Sequence, residues 1–87
     1  MATVWIPAPL RTLANGEERI DIVASTVREA IDALEARYPG IRERLLHDDE
    51  LRPGLALAID QQVMRHGLDW PLQEASEVHF LPAIGGG

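Results

Sequence analysis

The chain's 87 residues are roughly half of the ~150 usually allotted to a domain, which excludes a second domain and a separate catalytic half. With no cysteine there is no disulfide, thiolate zinc site, redox couple or sulfur nucleophile, so packing alone must hold a core drawn mostly from the 46% of residues that are apolar. Fourteen acidic residues against eight basic ones give a formal charge of −6, which argues against a phosphate-binding surface, makes nucleic acid an unexpected ligand and favours partners with basic faces.

Residues 3–7 alternate, Val4 and Ile6 on one face and Thr3 and Trp5 on the other, the period of two of a half-covered strand. Pro7 and Pro9 limit its extent, since proline donates no ladder hydrogen bond. Ala14-Asn15-Gly16 supplies residues that tolerate positive φ, and residues 18–23 resume the alternation with Ile20 and Ile22 inward, so the opening reads as a hairpin. Ser25 or Thr26 offers an N-cap, and Thr26-Val27-Arg28-Glu29 has the spacing of a reciprocal capping box. A helix beginning there carries Val27, Ile31, Leu34 and Tyr38 as one apolar stripe and stops at Pro39-Gly40.

Residues 41–46 suit a short helical turn with Ile41 and Leu45 as its apolar contacts. His47-Asp48-Asp49-Glu50, ending in Pro53-Gly54, reads as a solvated surface loop, because consecutive acids lack the glycine and spaced ligands of a calcium loop. Leu55, Leu57 and Ile59 against Ala56 and Ala58 mark a third strand, and Asp60-Gln61 turns it into a short strand over residues 62–65. Residues 67–75 form a compact connection that Leu68, Trp70 and Leu72 are expected to pin to the core. The last strand, residues 77–81, places Val78 and Phe80 inward and His79 and Leu81 outward. No apolar run approaches the ~18 residues of a membrane span and the first ten residues lack the pattern of a signal segment, so a cytoplasmic protein without membrane contact is expected.

Catalytic signatures are scarce. His47, His66 and His79 have no ligand spacing and fall on different elements, so no metal site is expected; no serine elbow of the GxSxG kind, phosphate loop or dinucleotide fingerprint occurs. The end of the chain is distinctive instead: Pro82-Ala83-Ile84-Gly85-Gly86-Gly87. At a glycine frequency of about 7%, three in a row at a fixed place arise by chance in roughly three chains per ten thousand. Glycine without a Cβ leaves its carbonyl open from either side and threads a narrow channel, while proline stiffens the root. Six extended residues reach about 20 Å, so residues 82–87 read as a flexible arm on a body formed by residues 1–81. A carboxylate reacts with nucleophiles only after an oxygen becomes a leaving group, commonly as an acyl adenylate, and no phosphate-binding motif here does that. All eight basic residues are arginine, so no lysine or cysteine on the chain would trap an activated terminus.

Three stretches, Thr26-Val27-Arg28-Glu29-Ala30-Ile31, Leu34-Glu35-Ala36-Arg37-Tyr38-Pro39-Gly40 and Leu81-Pro82-Ala83-Ile84 before Gly86-Gly87, resemble the ubiquitin-like sulfur carriers of the MoaD/ThiS group, nearest to MoaD-like and CysO-type carriers. Gly85 stands where those families often have Ala or Ser, and Asp60-Gln61 replaces their usual Asn-Gly turn. The resemblance implies an α+β, β-grasp fold: a mixed four- or five-stranded sheet packed on one main helix. It implies a carrier rather than an enzyme, with no catalytic residue and no bound cofactor. Gly87 would be adenylated by an E1-like adenylyltransferase of the MoeB/ThiF type, which consumes ATP and a sulfur donor. The resulting thiocarboxylate would pass to a sulfur-accepting enzyme, cysteine synthase-like or a molybdopterin synthase large subunit, with Pro82, Ala83, Ile84, Gly85 and Gly86 threaded into it. Trp5, His79 and Leu81, with Ala56 and Ala58 giving low relief, are expected to form the partner surface. Two other readings stay open: a modifier conjugated through Gly87 to target lysines, and a ubiquitin-like interaction domain with an idle tail.

Overall fold

The computed structural model describes residues 1–82. The expected strand at the start is β1 (Ala2–Trp5), which pairs antiparallel with β2 (Arg19–Ile22) in the register Val4 to Ile20. A single 3₁₀ turn, Ala8–Leu10, and positive φ at Asn15 (56°) and Gly16 (82°) close the long connection between them, where Arg11 Nε donates to the Ile6 carbonyl at 3.1 Å. The main helix, α1 (Val27–Arg37), is capped by Thr26, whose hydroxyl accepts from Glu29 N–H at 3.2 Å. The Glu29 carboxylate returns to the N–H of Ser25, one residue before the cap (3.1 Å), a small departure from the ideal reciprocal box. Val27, Ala30, Ile31 and Leu34 bury the apolar stripe, and Tyr38 packs at its edge.

After Gly40 (φ 101°) comes α2 (Ile41–Leu45), which buries Ile41 and Leu45 as expected. The acidic stretch is not a plain loop. Strands β3 (Leu46–His47) and β4 (Glu50–Leu51) pair antiparallel around Asp48-Asp49, both at positive φ (52° and 64°), forming a two-residue hairpin. Aspartate tolerates the left-handed region because its short side chain bonds locally, and two such residues match the twist of a tight hairpin. Strands β5 (Leu55–Ile59), β6 (Gln62–Met64) and β7 (Glu77–Pro82) complete a five-stranded sheet in the order β2-β1-β7-β5-β6. Only the β1–β7 pair is parallel, which makes the sheet mixed as well as wrapped around one main helix. Asp60 and Gln61 both take positive φ (50° and 73°), so this turn adopts the geometry that an Asn-Gly pair would favour. Asp60 is held there by Glu77, whose N–H donates to Asp60 Oδ1 at 2.9 Å and whose carbonyl accepts from Asp60 N–H at 3.0 Å.

The connection after β6 is pinned differently from the expectation. Leu68 is buried and Leu72 partly so, but Trp70 is 41% exposed. Two backbone bonds take over its role: Arg28 N–H to the Leu68 carbonyl and Leu72 N–H to the Ser25 carbonyl, both 2.8 Å. The segment is thus tied to the start of α1 by main-chain groups that would otherwise lack partners, and the indole is left outside.

The α1–α2 corner is an ion network. Glu35 accepts from the N–H of Gly40 (3.0 and 3.1 Å) and of Arg42 (2.9 Å), and Arg42 pairs with Asp32 (3.2 Å) and Asp49 (2.6 Å). The Arg42 N–H bond, then that of Gly40, hold the Glu35 carboxyl below its usual 4.5. Its contribution to stability is therefore full above that value and declines as pH falls through the lower folded value. Glu35→Gln is expected to lower the urea midpoint at pH 7, and the gap from the native chain should close as the pH is taken below about 4.5 in a urea series followed by circular dichroism.

Candidate functional site

Strand registers place one row of outward side chains across all five strands of the main sheet. Arg19 stands opposite Trp5, Trp5 opposite His79, His79 opposite Ala58, and Ala58 opposite Val63. Trp5 is the hub of the row. Its ring stacks on His79 with centroids 5.2 Å apart and planes 10° from parallel, while the Arg19 guanidinium lies 5.6 Å from the centroid. The indole N–H donates to Glu77 Oε1 at 3.1 Å, and the same oxygen lies 3.7 Å from His79 Nε2. Edge, face and polar tip of the ring are thus all engaged, which fixes one rotamer at an otherwise open surface.

On one side of the row Thr3 donates to Asp21 (2.9 Å) beside Glu77, giving an acidic margin. On the other, Leu81 pairs with Ala56, and Ala56 and Ala58 are buried beneath their larger neighbours. The expected patch of Trp5, His79 and Leu81 is therefore one surface, and the small alanines keep it low. Val63, 64% exposed, extends it to the sheet edge. Arg19, Glu77 and Val63 were not foreseen in this role. Alternation placed Arg19 outward opposite Ile20, and a two-residue turn at Asp60-Gln61 sets Val63 against Ala58, so both signals were present in the pattern.

Leu81 leads directly to Pro82, the last residue of β7, which pairs with Leu55 at the start of β5. β7 is thus an interior strand, paired with β1 over Glu77–His79 and with β5 as far as Pro82. Ala83, Ile84, Gly85, Gly86 and Gly87 lie outside the described residues. No group of three or more His, Cys, Asp or Glu side chains suited to a metal ion occurs among the described residues, and no described helix is long and apolar enough to cross a membrane.

A five-stranded mixed sheet on one main helix, with its last strand leading into a glycine-ended sequence, defines a ubiquitin-like β-grasp protein. The ThiS family model matches residues 4–87, and the chain belongs to that family. It is 33% identical to the sulfur carrier protein CysO of Mycobacterium tuberculosis, with 98% of this chain and 97% of the relative covered. Solved structures agree. The crystal structure of the Amycolatopsis orientalis BexX/CysO complex matches with a TM-score of 0.89 and 32% identity over the whole of both chains. The crystal structure of Mycobacterium tuberculosis CysO matches with a TM-score of 0.87 and 29% identity over 97% of this chain and all of that one. The solution structure of small archaeal modifier protein 1 from Methanosarcina acetivorans, 23% identical over 99% of this chain and 95% of that one with a TM-score of 0.79, shares the fold. The protein is a sulfur carrier and a substrate of partner enzymes, not a catalyst.

The stack at the centre of the row is measurable without a partner. A double-mutant cycle of Trp5→Ala and His79→Ala in urea denaturation is expected to give a coupling of about 1 kcal/mol, with the far-UV spectrum unchanged in both single variants. Additive effects would show that the two rings do not support each other.

Proposed function

We propose that Gly87 is the residue that carries sulfur, and that residues 83–87, following Pro82 at the end of β7, deliver it into an enclosing enzyme while the Trp5 face docks on that enzyme's surface. The family match running through Gly87 carries this reading. In the first step the Gly87 carboxylate oxygen attacks the α-phosphate of ATP in an E1-like adenylyltransferase, forming glycyl adenylate and releasing pyrophosphate. Sulfide from a donor then displaces AMP at the same carbonyl, leaving a thiocarboxylate. Its anionic sulfur is a soft nucleophile, presented at the end of an arm in a site from which the enzyme excludes water. The carrier contributes the atom and the recognition surface, and its partners supply ATP binding and the chemistry.

Similarity to the sulfur carrier CysO, together with the CysO-type resemblance of the sequence, favours an acceptor of the cysteine synthase kind over a molybdopterin synthase large subunit. The docking surface suits such use because Trp5 is held in place before contact, so little side-chain freedom is lost on binding. Family membership also favours a carrier over a lysine-linked modifier or an idle interaction domain.

Incubation with a cognate activating enzyme, ATP and a sulfide source should raise the intact mass by about 16 Da as oxygen is replaced by sulfur, and removal of Gly87 should abolish the gain. Trp5→Ala should raise the KM for this loading on the order of tenfold, the cost of losing one anchor residue, with kcat little changed. An unmodified mass with every matched enzyme would count decisively against the reading.

A further inference from the structure

Away from the Trp5 face, an open cavity of about 600 Å³ lies between the β4–β5 connection, the end of β6 and the segment after it. Three of the chain's eight arginines, Arg28, Arg52 and Arg65, line it, together with Trp70. Arg28 is paired with Asp69 at 3.1 Å, which neutralises it. Arg52 uses Nε on the Glu43 carbonyl, and neither Arg52 nor Arg65 joins an ion pair among the described residues. With Glu50 as the one other acid on the wall, the cavity keeps a positive balance on a protein of formal charge −6. Trp70, which contributes little to the core, contributes an aromatic wall here.

The cavity also adjoins the root of the arm. Leu55 lines it and is at the same time the register partner of Pro82. β7 runs antiparallel to β5, so its last described residue, Pro82, lies next to the Pro53-Gly54 side of the cavity. Five residues, 83–87, span at most about 17 Å, ample to reach the wall. A short tether holds a terminal carboxylate at an effective concentration in the millimolar range, enough to populate a weak contact with guanidinium groups.

We propose that this cavity is a carboxylate-binding site whose occupant is the chain's own Gly87 terminus, held reversibly by Arg52 and Arg65 beside Trp70. The inference rests on the sulfur-carrier reading for its purpose. Carboxylate and thiocarboxylate are both anions and both dock, so the loaded end is held against the body between enzymes. The docked arm exchanges with the enzyme-threaded arm, and docking therefore competes with loading.

The test uses the intact chain and its counterpart bearing a Gly87 carboxamide, which removes the charge and keeps the length. In ¹H–¹⁵N spectra the Trp70 indole and the Nε–H signals of Arg52 and Arg65 should differ between the two forms, while the Trp5 indole on the outer face should not. The difference should vanish in Arg65→Gln and fade at about 1 M salt, where screening acts within ~3 Å. Coincident spectra of the two forms overturn the proposal, as does a difference that survives Arg65→Gln. A difference that disappears on dilution also overturns it, because the carboxylate then comes from a second copy. Acetyl-triglycine that shifts these signals in a chain lacking residues 85–87, with no dependence on amidation in the intact chain, assigns the cavity to an external acidic partner and likewise overturns self-docking. None of these readouts requires a thiocarboxylate, so their failure leaves the loading experiment untouched, and failure of loading leaves docking measurable.

Discussion

The placement of β7 between β1 and β5 is the constraint from which the rest follows. The strand that leads to the glycine arm is bonded on both sides, in parallel to β1 and antiparallel to β5. The β5 ladder follows β7 as far as Pro82, the β1 ladder adds support over Glu77–His79, and Val78 and Phe80 pack into the core beneath. An edge strand would peel more readily, having one ladder to lose. The same placement sets Trp5, His79 and Leu81 side by side, so the proposed docking surface and the end of β7 are fixed by one set of hydrogen bonds.

In the proposed function, body and glycine end divide the work of a carrier. Recognition needs a preformed surface, and the stacked, hydrogen-bonded indole of Trp5 suits that use at low entropic cost. Delivery needs a chain that passes where a folded domain cannot, and unbranched glycine is suited to that. The corner built by Glu35, Arg42, Asp32 and Asp49 lies in the α1–α2 and β3–β4 part of the molecule and serves the scaffold. Charged networks in this domain thus hold its shape, and the outer sheet face remains available for binding.

Much of this arrangement was legible in the sequence because its signals are local. Alternation sorted Val4, Val78 and Phe80 inward and Trp5, His79 and Leu81 outward, and sheet pleating enforces that assignment once one face is buried. Two aspartate turns were harder to read. Asp48-Asp49 resembled a solvated charge run, yet pairing of Leu46 with Leu51 draws it into a hairpin; Asp60-Gln61 attains positive φ with help from Glu77, distant in sequence. Trp70 looked like a core residue by type, but the main-chain bonds from Arg28 and Leu72 already tie its segment down.

By itself, the sequence determined the fold class, the capped helix, the facing of the strands and the glycine end, because periodicity, cap chemistry and residue type act within a few positions along the chain. Only the tertiary structure decided which strands are neighbours, and with that the continuous row from Arg19 to Val63 and the gathering of Arg28, Arg52 and Arg65 around one cavity beside the root of the arm. Those groupings join residues far apart in the chain, and burial of the common core, rather than any local preference, brings them together.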